Sequence, residues 1–258
     1  MRNQDKPVLA GATGGYQEFR PTAALGAHFR CVWSNAIAPA HADRYAVVPD
    51  GCVDITWIDG ELIVAGPDVT VAMVPTAPAE PIVGVRFRPG AAANWLGLPM
   101  SNIVGGRVAL LDFWGAGARE IEARMSDVTT TTERMRVLEQ ALCRLAHDVD
   151  PPNTDMGFVF NALATESGGP GLSVILDRLD MSPRTLRRRC HDAFGYGPKT
   201  LDRILRFQRF LDLARRTDRA SLASLAFEAG YADQAHLTRE VRRLSGFSPA
   251  MVLSQLRT

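Results

Sequence analysis

Residues 172–198 and 222–249 carry one pattern twice, and a chain with that duplication must build two similar helical pairs. The first copy reads LSVILDRLDMSPRTLRRRCHDAFGYGP and the second LASLAFEAGYADQAHLTREVRRLSGFSP. Leu186, Arg188, Cys190, Gly195 and Pro198 fall on Leu237, Arg239, Val241, Gly246 and Pro249 at a constant offset. Leu172 and Leu176 fall on Leu222 and Ala226 at an offset one residue smaller, so the second copy carries one extra residue in its turn, where insertions are tolerated.

Each copy reads as a short helix, a tight turn and a longer basic helix. Ser182 with Pro183, and Asp233 in the second copy, are N-terminal caps; Gly195 and Gly246 suit left-handed C-terminal stops. At about 100° per residue, Leu186, Cys190 and Phe194 share one face while Arg184, Arg188 and His191 point away, with Arg187 flanking them. In the second helix Leu237, Val241 and Leu244 form the inward stripe, and Ala235, Arg239 and Arg242 point outward beside Thr238.

An α-helix fits the major groove of DNA, where Arg donates two hydrogen bonds to guanine and Gln or Asn matches adenine. The candidate DNA-reading residues are Arg184, Arg187, Arg188, Gln234, His236, Thr238 and Arg239. One such helix alone would read as an ordinary solvated charge run. Two copies, each capped at one end and stopped by glycine at the other, favour recognition.

Residues 171–258 resemble the paired helix-turn-helix domain of AraC/XylS-type bacterial transcription regulators. The resemblance lies in the Ser182–Phe194 helix, the Gly195–Pro198 exit and above all AFEAGYADQAHLTREVRRLSGFSP from Ala226 to Pro249. It implies a seven-helix domain that binds a bipartite, non-palindromic site on double-stranded DNA. Such domains keep an aromatic residue where Cys190 and Val241 stand, and these two are departures.

Charge points the same way without any family. From residue 169 onward 16 Lys and Arg oppose 9 Asp and Glu, giving +7, whereas residues 1–168 carry −6. The basic part supplies the sequence-independent attraction to phosphates, and the acidic part is repelled from the duplex.

The segment joining the copies, Lys199–Arg215, carries Leu201, Ile204, Leu205, Phe207, Phe210, Leu211 and Ala214. That apolar surface is too wide for one partner, so this linker helix is expected to touch both pairs. Its 17 residues span about 26 Å at about 1.5 Å each, compatible with two groove segments about 34 Å apart.

The glycine-rich SGGPG stretch, residues 167–171, cannot continue a helix and is read as a linker. It divides a regulatory domain, residues 1–166, from the all-α DNA-binding domain, residues 172–258. Before it, HFRCVWSN, RYAVVPDG, CVDITWI, ELIVAG, VTVAMV and PIVGVRFRP read as six short strands, with Asp59-Gly60 as a hairpin turn. Helical segments follow: GAAANWLG, AREIEARM, Glu133–His147 and Asp155–Ala164. The N-terminal part is therefore expected to be α+β, a small sheet or barrel followed by helices. Its words PDGCVDITW, VAGP and GVRFRPGAA resemble the N-terminal domain found in a subset of AraC-like regulators.

Such a domain is expected to sense a small-molecule effector, to dimerise, or both. Trp33, Trp57, Phe87 and Trp95 are candidates for an effector pocket, with Arg86 or Arg88 as polar anchor; the alternatives are that the aromatics fill an ordinary core and that the arginines lie on a wet face. A homodimer through the helices between Glu133 and Ala164, and contact with RNA polymerase, complete the expected partners.

Cys52 sits beside Asp50 and Asp54, which would raise its thiol pKa, so it is read as a small buried hydrophobe and not as a sensor. The five histidines are scattered without ligand spacing, and no metal or other cofactor is expected. No phosphate loop, nucleophile elbow or HExxH appears, and the chain is expected not to be an enzyme. A repair or modifying enzyme fused to a DNA-binding domain, and a sensor-less architectural protein, are the competing classes. With no signal segment and no long apolar run, a cytoplasmic location is expected, with its four cysteines as thiols.

Overall fold

The six strands read from the sequence all form, and three more join them. The structure, a computed structural model, describes residues 7–12, 15–37, 45–74, 80–165, 171–217 and 220–256. The strands are β1 (Val8–Leu9), β2 (Tyr16–Phe19), β3 (Phe29–Asn35), β4 (Tyr45–Val47), β5 (Asp54–Ile58), β6 (Glu61–Ala65), β7 (Ala72–Val74), β8 (Ile82–Phe87) and β9 (Arg107–Ala109). Six of them form an antiparallel sheet in the order β2-β3-β8-β5-β6-β9, and β1-β4-β7 form a smaller one. Of the expected sheet or barrel, the open sheet is what forms. Asp59 and Gly60 turn the β5–β6 hairpin with φ of 49° and 91°, as a two-residue turn requires.

The large sheet is covered on both faces. Ile55 and Trp57 from β5, Leu62 and Val64 from β6, and Val83 and Val85 from β8 point to one face. There they pack beneath the helices α1 (Ala92–Leu96), α3 (Ala116–Ser126) and α4 (Thr131–Leu145). The short α2 (Leu111–Trp114) follows β9 on the same side. α4 opens with a reciprocal cap between Thr130 and Glu133, which satisfies backbone donors at its N-terminus. Its stripe residues Leu138 and Leu142 are fully buried against the sheet, while Leu145 at the end of the stripe is exposed.

The opposite face carries Cys31, Trp33 and Ile82, closed over by Tyr45, Val47 and Val74 of the smaller sheet. A register shift between Phe29 and Cys31 explains why these two residues, of equal parity in β3, lie in different cores.

The helices of the C-terminal part are α6 (Leu172–Leu179), α7 (Pro183–Phe194), α8 (Pro198–Arg216), α9 (Leu222–Glu228), α10 (Gln234–Ser245) and α11 (Pro249–Leu256). Every apolar residue named for the linker helix α8 is buried, and α8 packs on α7 in the first pair and on α9 and α10 in the second. A buried Leu, Ile or Phe contributes about 1.5–3 kcal/mol, so this shared core is the main tie between the pairs.

α5 (Thr154–Ala164) joins that same core: Met156, Val159, Phe160 and Leu163 pack with Leu201 and Leu205. Arg209 of α8 donates to the carbonyls of Leu163, near the end of α5, and of Ala229, at the end of α9. Of the linker stretch 167–171 only Gly171 is among the described residues. The core it was expected to separate crosses it, and α5 with α6–α11 makes seven helices around one interior among the described residues.

The two parts meet along a broad seam. Gln208 of α8 donates to the Pro49 carbonyl at 2.7 Å, and Gly51, with φ of 79°, lets the turn after Pro49 lie against Phe160, Leu201 and Leu205. At the far end Gln255 accepts from Leu9 N at 2.8 Å and donates to the Pro7 carbonyl at 3.2 Å.

Candidate nucleic-acid interface

Capping places both basic helices as the sequence indicates. Ser182 Oγ accepts from Thr185 N at 3.1 Å and starts α7; Asp233 Oδ1 accepts from His236 N at 2.6 Å and starts α10. Each helix ends in a left-handed glycine, Gly195 with φ of 83° and Gly246 with φ of 74°. The preceding turns share a bond from Met181 N to the Leu176 carbonyl and from Tyr231 N to the Ala226 carbonyl. Asp180 and Gly230 hold the equivalent left-handed position. The extra residue of the second copy therefore lies between Tyr231 and the Asp233 cap.

Leu186, Cys190 and Phe194, and Leu237, Val241 and Leu244, are all buried. Burial pushes the Cys190 thiol up to about 12, so it packs as a neutral small hydrophobe where the resemblance led one to expect an aromatic ring. Arg184, Arg187 and Arg188 of α7 and Gln234 and Arg239 of α10 are exposed.

His236 and Thr238 are half-buried and partly committed. His236 Nδ1 accepts from Ala232 N at 3.4 Å and its ring meets Tyr231 edge-on, while the Thr238 hydroxyl donates to the Gln234 carbonyl at 2.8 Å. Gln234, Ala235, Thr238 and Arg239 line an open concavity on α10. Arg242 and Arg243 are exposed on the same helix but stand outside the seven candidates; the i, i+3 spacing of Arg242 from Arg239 is the signal that finds it.

The arginines of the helical part fall into two groups. Arg189 pairs with Asp155 at 2.8 Å, Arg203 with Glu240 at 2.6 Å and Arg215 with Asp212 at 2.9 Å; Arg206 pairs with Asp202; Arg178 lies over the Phe158 ring. Arg184, Arg187, Arg188, Arg239, Arg242 and Arg243 make no ion pair among the described residues. Scaffold arginines are engaged within the fold by carboxylates, carbonyls or a ring, and those on the outer faces of α7 and α10 keep full charge and free donors.

The four aromatics expected to line one pocket are divided by the sheet. Trp33 packs with Cys31, Tyr45 and Ile82 on one face; Trp57, Phe87 and Trp95 belong to the other core. The bulge in β3 turns Trp33 away from the face that Phe29 shares with Phe87. Phe87 and Trp95 join Phe29 and Trp114 in an aromatic cluster, with His28 edge-on to Trp95 at 5.4 Å.

Arg86 and Arg88 part company as well. Arg86 is largely buried, bidentate to Asp54 at 2.9 and 3.0 Å and 3.1 Å from Asp50, whereas Arg88 is exposed and donates to the Gly26 carbonyl. Burial, with Asp50 beside it, pushes the Cys52 thiol far up, which removes thiolate reactivity. Among the described residues no cluster of His, Cys, Asp and Glu could hold a metal, and no helix is long and apolar enough to cross a membrane.

This is the geometry of a double helix-turn-helix, two capped basic helices held on one shared core. Residues 175–255 match the model of a helix-turn-helix domain, and residues 17–109 match that of a domain of unknown function, DUF6597. The C-terminal part is a helix-turn-helix domain.

Among solved structures the chain is similar to ToxT from Vibrio cholerae. A 1.65 Å structure in a P21 form shows 10% identity over 95% of this chain and 100% of that one, with a TM-score of 0.49. ToxT from strain O395 shows 12% identity over 83% and 94%, TM-score 0.47, and wild-type ToxT of strain SCE256 bound to an unsaturated fatty acid 12% over 83% and 91%, TM-score 0.45. At these scores the likeness identifies neither the operator nor the ligand of this chain. No curated protein matches the sequence.

Proposed function

We propose that this chain is a sequence-specific DNA-binding transcription regulator that reads two adjacent groove segments through α7 and α10. Arg184, Arg187, Arg188, Gln234, His236, Thr238 and Arg239 meet base edges, while Arg242 and Arg243 meet phosphates. The observation that carries this reading is the division of the arginines, since unpaired guanidiniums gather on the two outward helix faces and nearly all others are paired. Guanidiniums left unpaired beside Gln and Thr suit direct readout of guanine and adenine.

The DNA-binding unit we propose runs from Asn153, which caps α5, to the C-terminus, because a piece starting at Gly171 would bare the α8 surface that Phe160 covers. The test is selection from a random duplex library by the full chain, followed by titration of the selected site against salt. A bipartite site whose affinity falls steeply with salt is expected; affinity without salt dependence, or a single short site, refutes the reading.

The N-terminal part takes a small-molecule effector on the helix-covered side of its sheet, in the reach of Trp57, Phe87 and Trp95. His28 Nδ1 and Trp95 Nε1 are buried there without a hydrogen-bond partner among the described residues, and their rings touch. An acceptor and a donor inside an aromatic cluster suit a largely apolar molecule with one polar group. Screening metabolites of that kind by thermal shift tests it, because a ligand of the folded state raises the melting temperature; no shift with any of them refutes it. RNA polymerase and a second copy of the chain are the further partners of a regulator, and the edge strand β2, exposed at Tyr16 and Phe19, is the surface open to the copy.

A further inference from the structure

Both reading helices end against one loop of the N-terminal part. Residues 66–71 connect β6 to β7. A Cβ on Gly195, the stop of α7, would sit 2.8 Å from Pro67 Cγ, 2.7 Å from Val104 Cγ2 and 3.1 Å from the Met100 carbonyl oxygen. A Cβ on Gly246, the stop of α10, would sit 3.6 Å from Val71 Cγ1. Two glycines far apart in sequence thus face residues of the same six-residue loop.

That loop is bound to the sheet at several points. Gly66 N donates to the Gly106 carbonyl and Gly105 N to the Pro67 carbonyl, each at 3.0 Å, and Arg107 grips Asp68 with two bonds of 2.7 and 3.2 Å. Asp68 is mostly shielded, so the pair is worth more than an open surface bridge. The loop therefore moves with the sheet.

α8 alone would hold the two helical pairs as an axle holds two wheels, fixing their separation but leaving rotation about its axis soft. A second attachment at the C-terminal stops of α7, where it meets α8, and of α10 closes a ring of α7, α8, α10 and loop, and a closed ring lacks that rotation. We propose that residues 66–71, fixed by the Arg107–Asp68 pair, are a brace that sets the mutual orientation of the two reading helices and with it the half-site spacing the protein accepts. Pro67, Asp68, Val71 and Arg107 are positioning residues that lie off the reading faces. The link to spacing rests on the DNA-binding reading above; the brace itself does not.

The test uses the full chain with Cys52 and Cys143 replaced by Ser and nitroxides at Asp192→Cys on α7 and Arg243→Cys on α10, both exposed positions. Pulsed EPR should give a narrow distance distribution that broadens in Asp68→Ala and narrows again in the charge-swapped Asp68→Arg, Arg107→Asp double variant. Val71→Gly, which frees the other end of the loop, should broaden it too and stands in where Asp68→Ala does not fold. An unchanged distribution in these variants overturns the brace.

A second arm measures affinity of the cysteine-bearing protein for duplexes whose half-sites are moved apart one base pair at a time. Asp68→Ala should lower the preference for the best spacing about five- to tenfold while single half-sites bind as before. Retained spacing preference overturns the brace. Failure of the parent protein to bind any duplex sinks the DNA reading instead, and the distance measurement still decides the brace.

Discussion

The two helix-turn-helix copies share a plan but differ in how they are held and in what they present. α7 presents Arg184, Arg187 and Arg188 outward and drives its C-terminal stop into the N-terminal part, where Pro67, Met100 and Val104 crowd Gly195. α10 presents an amide, an imidazole and a hydroxyl ahead of its arginines, and among the described residues only Val71 comes near Gly246. The first copy is the docked, charge-rich one; the second is more loosely held and chemically varied. Duplication therefore yields one half suited to transmitting a change in the N-terminal part and another suited to discriminating bases.

The largest effect should come from breaking what the copies share. Gln208→Pro removes an internal bond of α8 and the contact with the Pro49 carbonyl, costing about 3 kcal/mol or more. Affinity for the bipartite site should vanish in gel-shift titration while the copies keep their own helical signal. Undiminished binding at the original spacing would show that α8 does not hold them.

Next comes the docking difference. Gly195→Ala and Gly246→Ala both place a Cβ at positive φ, at about 1–2 kcal/mol each. Gly195→Ala adds collisions under 3 Å and so about 1–3 kcal/mol more. Urea melts should show Gly195→Ala clearly the worse; equal losses would mean that the seam is looser than this packing. A third comparison sets Arg188→Ala against Arg239→Ala. Each should cost about 1–3 kcal/mol of specific binding and relax preference in a different half of the site. A uniform loss over all sequences would assign both to phosphates.

The smallest effect lies in the turns. Asp180 sits at φ of 48° where the second copy has Gly230. Asp180→Gly relieves left-handed strain of about 1–2 kcal/mol or less against about 0.4–1 kcal/mol of added unfolded-chain freedom, so it should stabilise only slightly, and a thermal melt that moves down would indicate that the Asp180 side chain is needed for the turn.

The copies themselves, their caps, stops and buried stripes, were legible because each rests on local chemistry: Ser182 and Asp233 bond backbone within three residues, and heptad-like spacing sorts inside from outside. The six strands were legible by composition. β2 was not, since all four residues of YQEF are exposed on an edge and show no alternation; nor was β9, three residues long and paired with the distant β6. Trp33 was grouped with the other three as an aromatic residue, and residue type does not tell which face of the bulged β3 it takes. α5 was read correctly as a helix and given to the wrong neighbour, since its apolar stripe says that it is covered and nothing local says by what. Asp54 gave no sign that it grips Arg86, thirty-two residues away.

The placement of α5 also sets a schedule for biosynthesis. Phe160 packs with Leu205 in a core whose later residues have yet to be translated when α5 leaves the ribosome. At about 5–20 residues per second the wait is about 2–9 s. For that time Met156, Val159, Phe160 and Leu163 are a bare apolar ridge on a nascent chain, the surface a chaperone grasps, until α8 arrives to cover it.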